Sequence, residues 1–497
     1  MGELKERTVR GAIWNFAGNA GQQAARFVIG IVLARILSPG EYGIIGMVAI
    51  FISVGDTLVD SGFSQSLIHR KDVSAKDYST VFIINLTIAL VIFLLLWASS
   101  GWIAGFFRQE VLKNIIIVLA VGIVIRSLTI VQSTRLIKDL DFRTITWINI
   151  AAMLVSGAVA IPMALSGLGV WSLAGLQVSR DLAYSLIIWL TVKWRPGIAF
   201  SPASARELFG FGSRILGVSL IDSVFLNINN LLIGKMFTAD DLGFYTRATG
   251  YRNIVSKNML AVINSVSFPA FSALKDRFSD DESMIAALRT NYRKTSELAN
   301  FIAMPLFVLL FFVAEPFIDF LITDKWLPAV PYLKILCVAG VFYPVYSLQA
   351  NLLKAMGRAD SYLKMMVWHK VALTAAIVIG IRWGVTGLVT GQAVAMGFVF
   401  AYGAYLMYRY LSYGFWSQVN DIFRYLIVST ALMLPLYYLC RNIDSSLWQL
   451  LIQALAGPGL YLLITGWLKF EGNREFFQIL RSQFAGNGSR STKNGID

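Results

Sequence analysis

Four polar side chains lie along the first apolar stretch of the chain, and their spacing is helical. Asn15, Asn19, Gln22 and Arg26 follow at steps of four, three and four, so on a helix all four point the same way. The rest of that stretch is mainly Ile, Val, Leu, Phe and Ala. A cation halfway along an apolar span is expensive, and such residues face a bundle interior or a water-filled cavity. Further on, Asp56 and Asp60 stand one helical turn apart, and Arg214, Asp222, Arg252 and Lys257 occupy two later stretches. The chemistry open to this set is recognition, not bond making. Arg and Lys hold phosphate through charge-assisted hydrogen bonds. Two carboxylates on one helix face can take up a coupling ion, H+ or Na+, or balance Arg26. We read Arg26, Arg214, Arg252 and Lys257 as cations lining a cavity for an anionic headgroup. Asp56, Asp60 and Asp222 are read as ion-coupling or charge-balancing groups, and Asn15, Asn19 and Gln22 as a polar stripe beside Arg26.

Signatures of catalysis are weak. Ser361-Tyr-Leu-Lys364 has the spacing of a nucleophile motif but falls in a loop without the partner motifs. Gly167-Leu-Gly169 and Gly210-Phe-Gly212 lack the strand–turn–helix setting that a nucleotide loop needs, and no Walker sequence occurs. The two cysteines, Cys337 and Cys440, sit in apolar stretches, and His69 and His369 are far apart. Neither a metal site nor a redox pair is expected, and no resident cofactor. The reading is a non-enzyme.

The elements that must carry these residues are transmembrane helices. Of 497 residues 56% are hydrophobic and 14% charged, where a soluble domain carries about a quarter charged. Repeated apolar runs of about 20 residues fit helices crossing a bilayer. The net charge of +14 is what basic loops on the inner side produce, and no soluble domain is available to bind nucleic acid. Residues 1–10 run straight into the first span without a cleavage site, so no signal peptide is expected.

We place about fourteen spans, near 11–37, 42–67, 78–99, 111–133, 144–165, 169–192, 210–236, 242–270, 294–321, 329–353, 362–381, 385–408, 423–440 and 447–468. With both termini inside, most of the 43 Lys and Arg fall in inside loops and termini. The polar end of the chain reads as disordered.

The chain also repeats itself. Arg35-Ile-Leu-Ser38…Glu41-Tyr-Gly43 is echoed 200 positions later by Lys235-Met-Phe-Thr238…Asp241-Leu-Gly243. Gly101–Phe107 corresponds to Glu315–Leu321, and Gly169–Leu173 to Gly384–Leu388, at slightly larger offsets. The fold expected is an all-α integral membrane protein of two pseudo-symmetric six-helix lobes, at 1–200 and 201–415. A helix pair at 416–470 and a cytoplasmic tail at 471–497 follow. Repeats of this kind are related by an axis along the membrane normal, and transporters bind substrate where they meet. The charged residues gather on the opening helices of the two copies, so a polar cleft with cationic excess is expected.

With these residues in view, the chain resembles the polysaccharide transporter branch of the multidrug/oligosaccharidyl-lipid/polysaccharide exporter superfamily. The resemblance rests on Thr8–Trp14, Leu33–Gly43, Asp60–Gln65, Leu242–Tyr245, Asp324–Trp326 and Ala355–Arg358. It is similar to the Wzx-type flippases, in the subgroup that includes colanic-acid and teichuronic-acid exporters. The resemblance implies two lobes in alternating access, moving undecaprenyl-diphosphate-linked oligosaccharide to the outer leaflet of a bacterial inner membrane. It implies work alongside a polysaccharide polymerase and glycosyltransferases, in contact with membrane lipids. An ion-coupled drug or metabolite antiporter of the same superfamily is the alternative, and a membrane-bound polymerase is a third reading.

Replacing Arg26 by Ala is expected to abolish transport at unchanged expression, while Arg26→Lys keeps part of it. Export in a complemented deletion strain measures this, and full activity of the alanine variant would remove Arg26 from the site.

Overall fold

The computed structural model describes residues 2–478 except Ser61, Lys71, Phe278 and Ser279, and among them no strand occurs. The chain divides into two compact units, residues 1–246 and 247–497. The first contains α1 (Gly2–Ile36), α2 (Pro39–Asp60), α3 (Phe63–His69), α4 (Ala75–Phe107), α5 (Leu112–Ser127), α6 (Ile130–Lys138), α7 (Phe142–Leu165), α8 (Val170–Thr191) and α9 (Pro202–Met236). Helix α10 (Ala239–Arg277) begins in the first unit and continues into the second. The second unit goes on with α11 (Asp281–Phe312), α12 (Ala314–Ile322), α13 (Val330–Gly340), α14 (Tyr343–Ala355), α15 (Ala359–Gly380), α16 (Gly384–Leu411), α17 (Phe415–Cys440) and α18 (Ser446–Trp467).

Helices stand at all fourteen expected positions. Among the described residues nine stretches are long and apolar enough to cross a bilayer, or ten when α5 and α6 count as one bent span. One of the nine, Ala359–Leu411, holds both α15 and α16. Helices α1, α8 and α10 are not among the stretches that pass, and their interiors carry Arg26, Arg180 with Asp181, and Arg247, Arg252 and Lys257.

Several spans expected to be continuous are broken. The second stops at Asp60 and restarts at Phe63. Gly62 there has φ 70°, a left-handed conformation natural to glycine, and a Cβ on it would come within 2.7 Å of the Gly212 carbonyl oxygen. The fourth bends by 42° between α5 and α6, and Trp189 Nε1 donates to the Leu128 carbonyl at 3.1 Å. The tenth divides at Val341 and Phe342 between α13 and α14. These last two breaks occupy equivalent places in the two copies, so the repeat extends to helix interruptions.

The repeated opening motifs fold alike and meet. Ser38 and Glu41 exchange reciprocal bonds, Ser38 N to Glu41 Oε2 at 2.6 Å and Glu41 N to Ser38 Oγ at 3.4 Å. Thr238 and Asp241 do the same at 3.2 and 3.1 Å. Each is a capping box that satisfies free amides at a helix start. Within the first unit the two capped starts lie on each other. A Cβ at Gly43 would fall on the Ala239 carbonyl, and one at Gly243 on the Pro39 carbonyl. Helix α9 continues the contact along α2, with Gly234 over Met47 and Thr57 Oγ1 2.6 Å from Ser223 Oγ.

The core of the first unit packs α1 on α7, with Gly18 against Thr146, Gly21 against Ile150 and Gly157 against Ile29. In the second unit Phe271, Leu288, Tyr292, Leu352 and Met407 form one buried cluster. Beside it Tyr292 Oη and Gln349 Nε2 donate to Gln418 Oε1 at 2.9 and 3.0 Å, and the Tyr413 hydroxyl donates to Asp421. Tyr413 lies in the loop between α16 and α17, where burial first and the Asp421 carboxylate second hold its hydroxyl well above the usual tyrosine range. Residues 471–478 are helical and dock by Gly472 N to Tyr425 Oη at 3.2 Å. The tail expected to be disordered over 471–497 is therefore ordered where it begins, docked on Tyr425, and its remainder, 479–497, lies outside the described residues.

Gly43→Val and Gly243→Val are each expected to destabilise the protein by about 1–3 kcal/mol through overpacking of main chain on main chain. Gly40→Ala, whose Cβ would meet side chains and not main chain, the nearest being the end of Asp240 at 3.1 Å, serves as the mild control. Thermal melting in detergent is the measurement, and equal melting of all three variants would show that the contact does not hold the helix starts.

Candidate functional site

Charges on apolar helices must find partners, and in the first unit they find them across four helices. Arg126, at the end of α5, is the centre. Its Nε and Nη2 donate to Asp56 Oδ1 on α2 at 3.0 and 2.7 Å, and its Nη1 donates to Asp181 Oδ2 on α8. Glycine at 122 leaves room for this pairing: a Cβ there would sit 3.1 Å from Asp181 Oδ2 and 3.4 Å from Arg126 Nη1. The carboxylates differ in access, the Asp56 side chain being 42% exposed and that of Asp181 11%. Arg180 lies within electrostatic reach of Asp181 and of Arg26 on α1. The cluster therefore holds three cations, Arg26, Arg126 and Arg180, against two carboxylates, leaving one positive charge in excess.

The expected stripe on α1 flanks the face that packs on α7. Asn19 and Arg26 are exposed and Gln22 is half-buried, while the Asn15 side chain lies outside the described residues. Arg26 is thus neither sealed in the core nor paired with Asp56, whose salt bridge goes to Arg126 instead. Asp60 does not join that bridge: it accepts from Ser64 Oγ at 2.5 Å at the end of α2. Asp222 is half-buried on α9 beside Ser223, and the Arg214 side chain lies outside the described residues.

In the second unit, Arg252 is half-buried with its guanidinium 5.4 Å above the Tyr343 ring. Its Nε is buried without a hydrogen-bond partner among the described residues. That orphan donor is available to an anionic acceptor. Arg247 lies over Trp326 at 5.6 Å, and Lys257 is exposed. Further along α10, Asn264 Oδ1 accepts from Ser347 Oγ and Asn351 Nδ2, both at 2.7 Å. Among the described residues no three His, Cys, Asp or Glu side chains converge on a metal position.

Arg126 is the functional candidate that sequence reasoning left aside. It falls inside the fourth apolar span, and in the sequence Asp181 has an arginine beside it, Arg180. Successive helical residues point about 100° apart, so the neighbour is not the partner. The available signal was that charges of opposite sign fall within three separate apolar spans.

Residues 32–331 match the family model described as "Polysaccharide biosynthesis protein". The chain belongs to that family. Two relatives illustrate it. The lipopolysaccharide biosynthesis protein WzxC of Escherichia coli K12 is 27% identical over 383 residues, 76% of each chain. The teichuronic acid biosynthesis protein TuaB of Bacillus subtilis 168 is 28% identical over 306 residues, 61% of this chain and 62% of that one. Among solved structures, the lipid II flippase MurJ in an inward closed conformation superposes with TM-score 0.73 at 14% identity, covering 93% of this chain and 98% of its own. An inward-facing MATE multidrug transporter of the MOP superfamily gives TM-score 0.60 at 17% identity, over 79% and 96%. These likenesses establish the fold of this polysaccharide biosynthesis family member as that of a multi-pass membrane transporter.

Arg126→Gln is expected to cost about 2–4 kcal/mol, because it leaves two carboxylates facing each other in an apolar setting. Adding Asp181→Asn to it should recover part of the loss. A double-mutant cycle on the melting curve reads the coupling, and additive effects would mean that the pair does not act as one.

Proposed function

We propose that this protein translocates undecaprenyl-diphosphate-linked oligosaccharide across a bacterial inner membrane by alternating access, with both termini cytoplasmic, for the synthesis of a surface polysaccharide. The observation that carries the reading is the cationic surplus of the Arg26–Arg180–Asp181–Arg126–Asp56 cluster inside otherwise apolar helices. A diphosphate crossing hydrocarbon needs charge-assisted donors along its way, and Arg26 is the exposed member of the cluster beyond those the carboxylates neutralise. The orphan Nε of Arg252, with Arg214 and Lys257, extends the same cationic provision to the second copy. A cavity for cationic drugs would call for the opposite balance.

The names of the relatives support the same reading, among them a lipopolysaccharide biosynthesis protein, a teichuronic acid biosynthesis protein and a succinoglycan biosynthesis transport protein. So does the lipid II flippase title of the structural neighbour. A coupling cation, H+ or Na+, enters at Asp56, the more accessible of the two bridged carboxylates, and competes there with Arg126. Glycosyltransferases supply the lipid-linked substrate and a polymerase consumes it.

Deleting the gene is expected to remove the surface polysaccharide and to accumulate its lipid-linked precursor facing the cytoplasm, with restoration by the wild-type gene. Glycan profiling together with extraction of the precursor is the measurement. Intact surface glycan combined with hypersensitivity to cationic drugs would overturn the proposal in favour of an antiporter.

A further inference from the structure

Helices α15 and α16 form a hairpin that carries a trough of about 710 Å³. Its lining runs from Trp368 to Trp383 and from Thr386 to Tyr402 without a charged residue. The floor is main chain, because small residues face each other across it. Ala372, Ala375 and Ala376 oppose Gly387, Gly391 and Ala395, and a Cβ at Gly391 would come within 2.7 Å of the Ala376 carbonyl oxygen. The rims are large and open, with Val371, Ile379, Val394 and Phe398 each more than half exposed. At 1.5 Å per helical residue the trough is about 20 Å long, most of a hydrocarbon core of about 30 Å.

Charge is placed at the two ends. Lys364 lies one turn before Trp368 on the same face of α15, and Arg409 lies two turns beyond Tyr402 on α16; both are exposed. At the far end Arg382, also exposed, adjoins Trp383. The distribution is that of a binding surface for one long apolar chain with an anion at its end. A diacyl lipid carries two chains for each phosphate and can seat only one of them between two touching helices. A polyprenyl chain is single, and its methyl branches recur at an interval on the order of one helical turn, matching notches left by small residues four apart.

We propose that this trough holds the isoprenoid tail of a polyprenyl diphosphate, the anionic group lying at Lys364 and Arg409 before translocation and at Arg382 after it. The tail is then guided by the protein through the reorientation and does not wander freely in the bilayer. This inference rests on the lipid-linked substrate proposed above and assigns its apolar half a place.

The test uses the full chain in nanodiscs and a polyprenyl phosphate carrying a terminal diazirine. On irradiation, adducts should map to peptides within 368–402. Ala375→Trp, which fills the floor from an exposed position, should reduce labelling at least fivefold, and Val394→Trp should do the same from the other wall. Thr374→Trp, outside the lining, should leave it unchanged. Excess unlabelled polyprenyl phosphate should compete, and the same excess of phosphatidylglycerol should not. Adducts elsewhere, indifference to both trough-filling variants, or equal competition by phosphatidylglycerol would overturn the assignment. Cross-linked dimers joined through these peptides would overturn it in favour of a second copy of the chain. Normal export in the deletion strain would refute the transport reading alone, since the labelling reports on the trough directly.

Discussion

Where two helix starts cross in the first unit, each offers a glycine to the other's main chain. Gly43 lies on the Ala239 carbonyl and Gly243 on the Pro39 carbonyl, so the approach is set by backbone and not by side chains. Membrane helices have little hydrophobic drive to associate, since lipid is as apolar as leucine, and close backbone contact supplies dispersion in its place. The capping boxes at Ser38–Glu41 and Thr238–Asp241 fix where each helix begins, which puts the glycines in register. Helix α9 then lies along α2, and the Thr57–Ser223 bond closes the same seam.

That packing creates the setting in which the charges must be reconciled. Helices α2, α5 and α8 each bring one ionised group to a common point, and the Asp56–Arg126–Asp181 bridge is what makes their burial tolerable. The cluster does not balance to zero, because Arg26 and Arg180 bring two further cations. Without them the bridge would set one arginine against two carboxylates, so one of the two completes the balance and the other is surplus. Under the proposed function, the exposed side chain of Arg26 is where that surplus would meet a phosphate-bearing substrate.

The second unit shows a different division of labour. In it amides and hydroxyls bond to one another around Gln418 and Asn264, beside the buried carboxylates Glu297 and Asp421 that pair with Arg293 and Arg424. Its hairpin, α15 with α16, is apolar throughout its trough, with Lys364, Arg409 and Arg382 at the ends. An amphiphile requires both kinds of surface, and this chain places them on different helices.

The helical class, the repeated motifs and the places where helices stand were legible in the sequence. Each follows from one segment judged against its own surroundings: a run of apolar residues or a motif met twice. The polar face of α1 was legible for the same reason. What the sequence left undecided was every pairing. Asp56 had Arg26 as a reasonable partner and Asp181 had Arg180 beside it, yet Arg126 takes both. Nor did periodicity reveal the breaks at Gly62, Leu128 and Val341, since the apolar pattern runs through them, or the trough, whose alanines and glycines look like ordinary packing residues in a list. Periodicity records which way a residue points from its own helix axis. Which residue it meets depends on the offset and rotation of the neighbouring helix, and those are set by contacts such as Gly43 on Ala239 that exist only after the chain has folded.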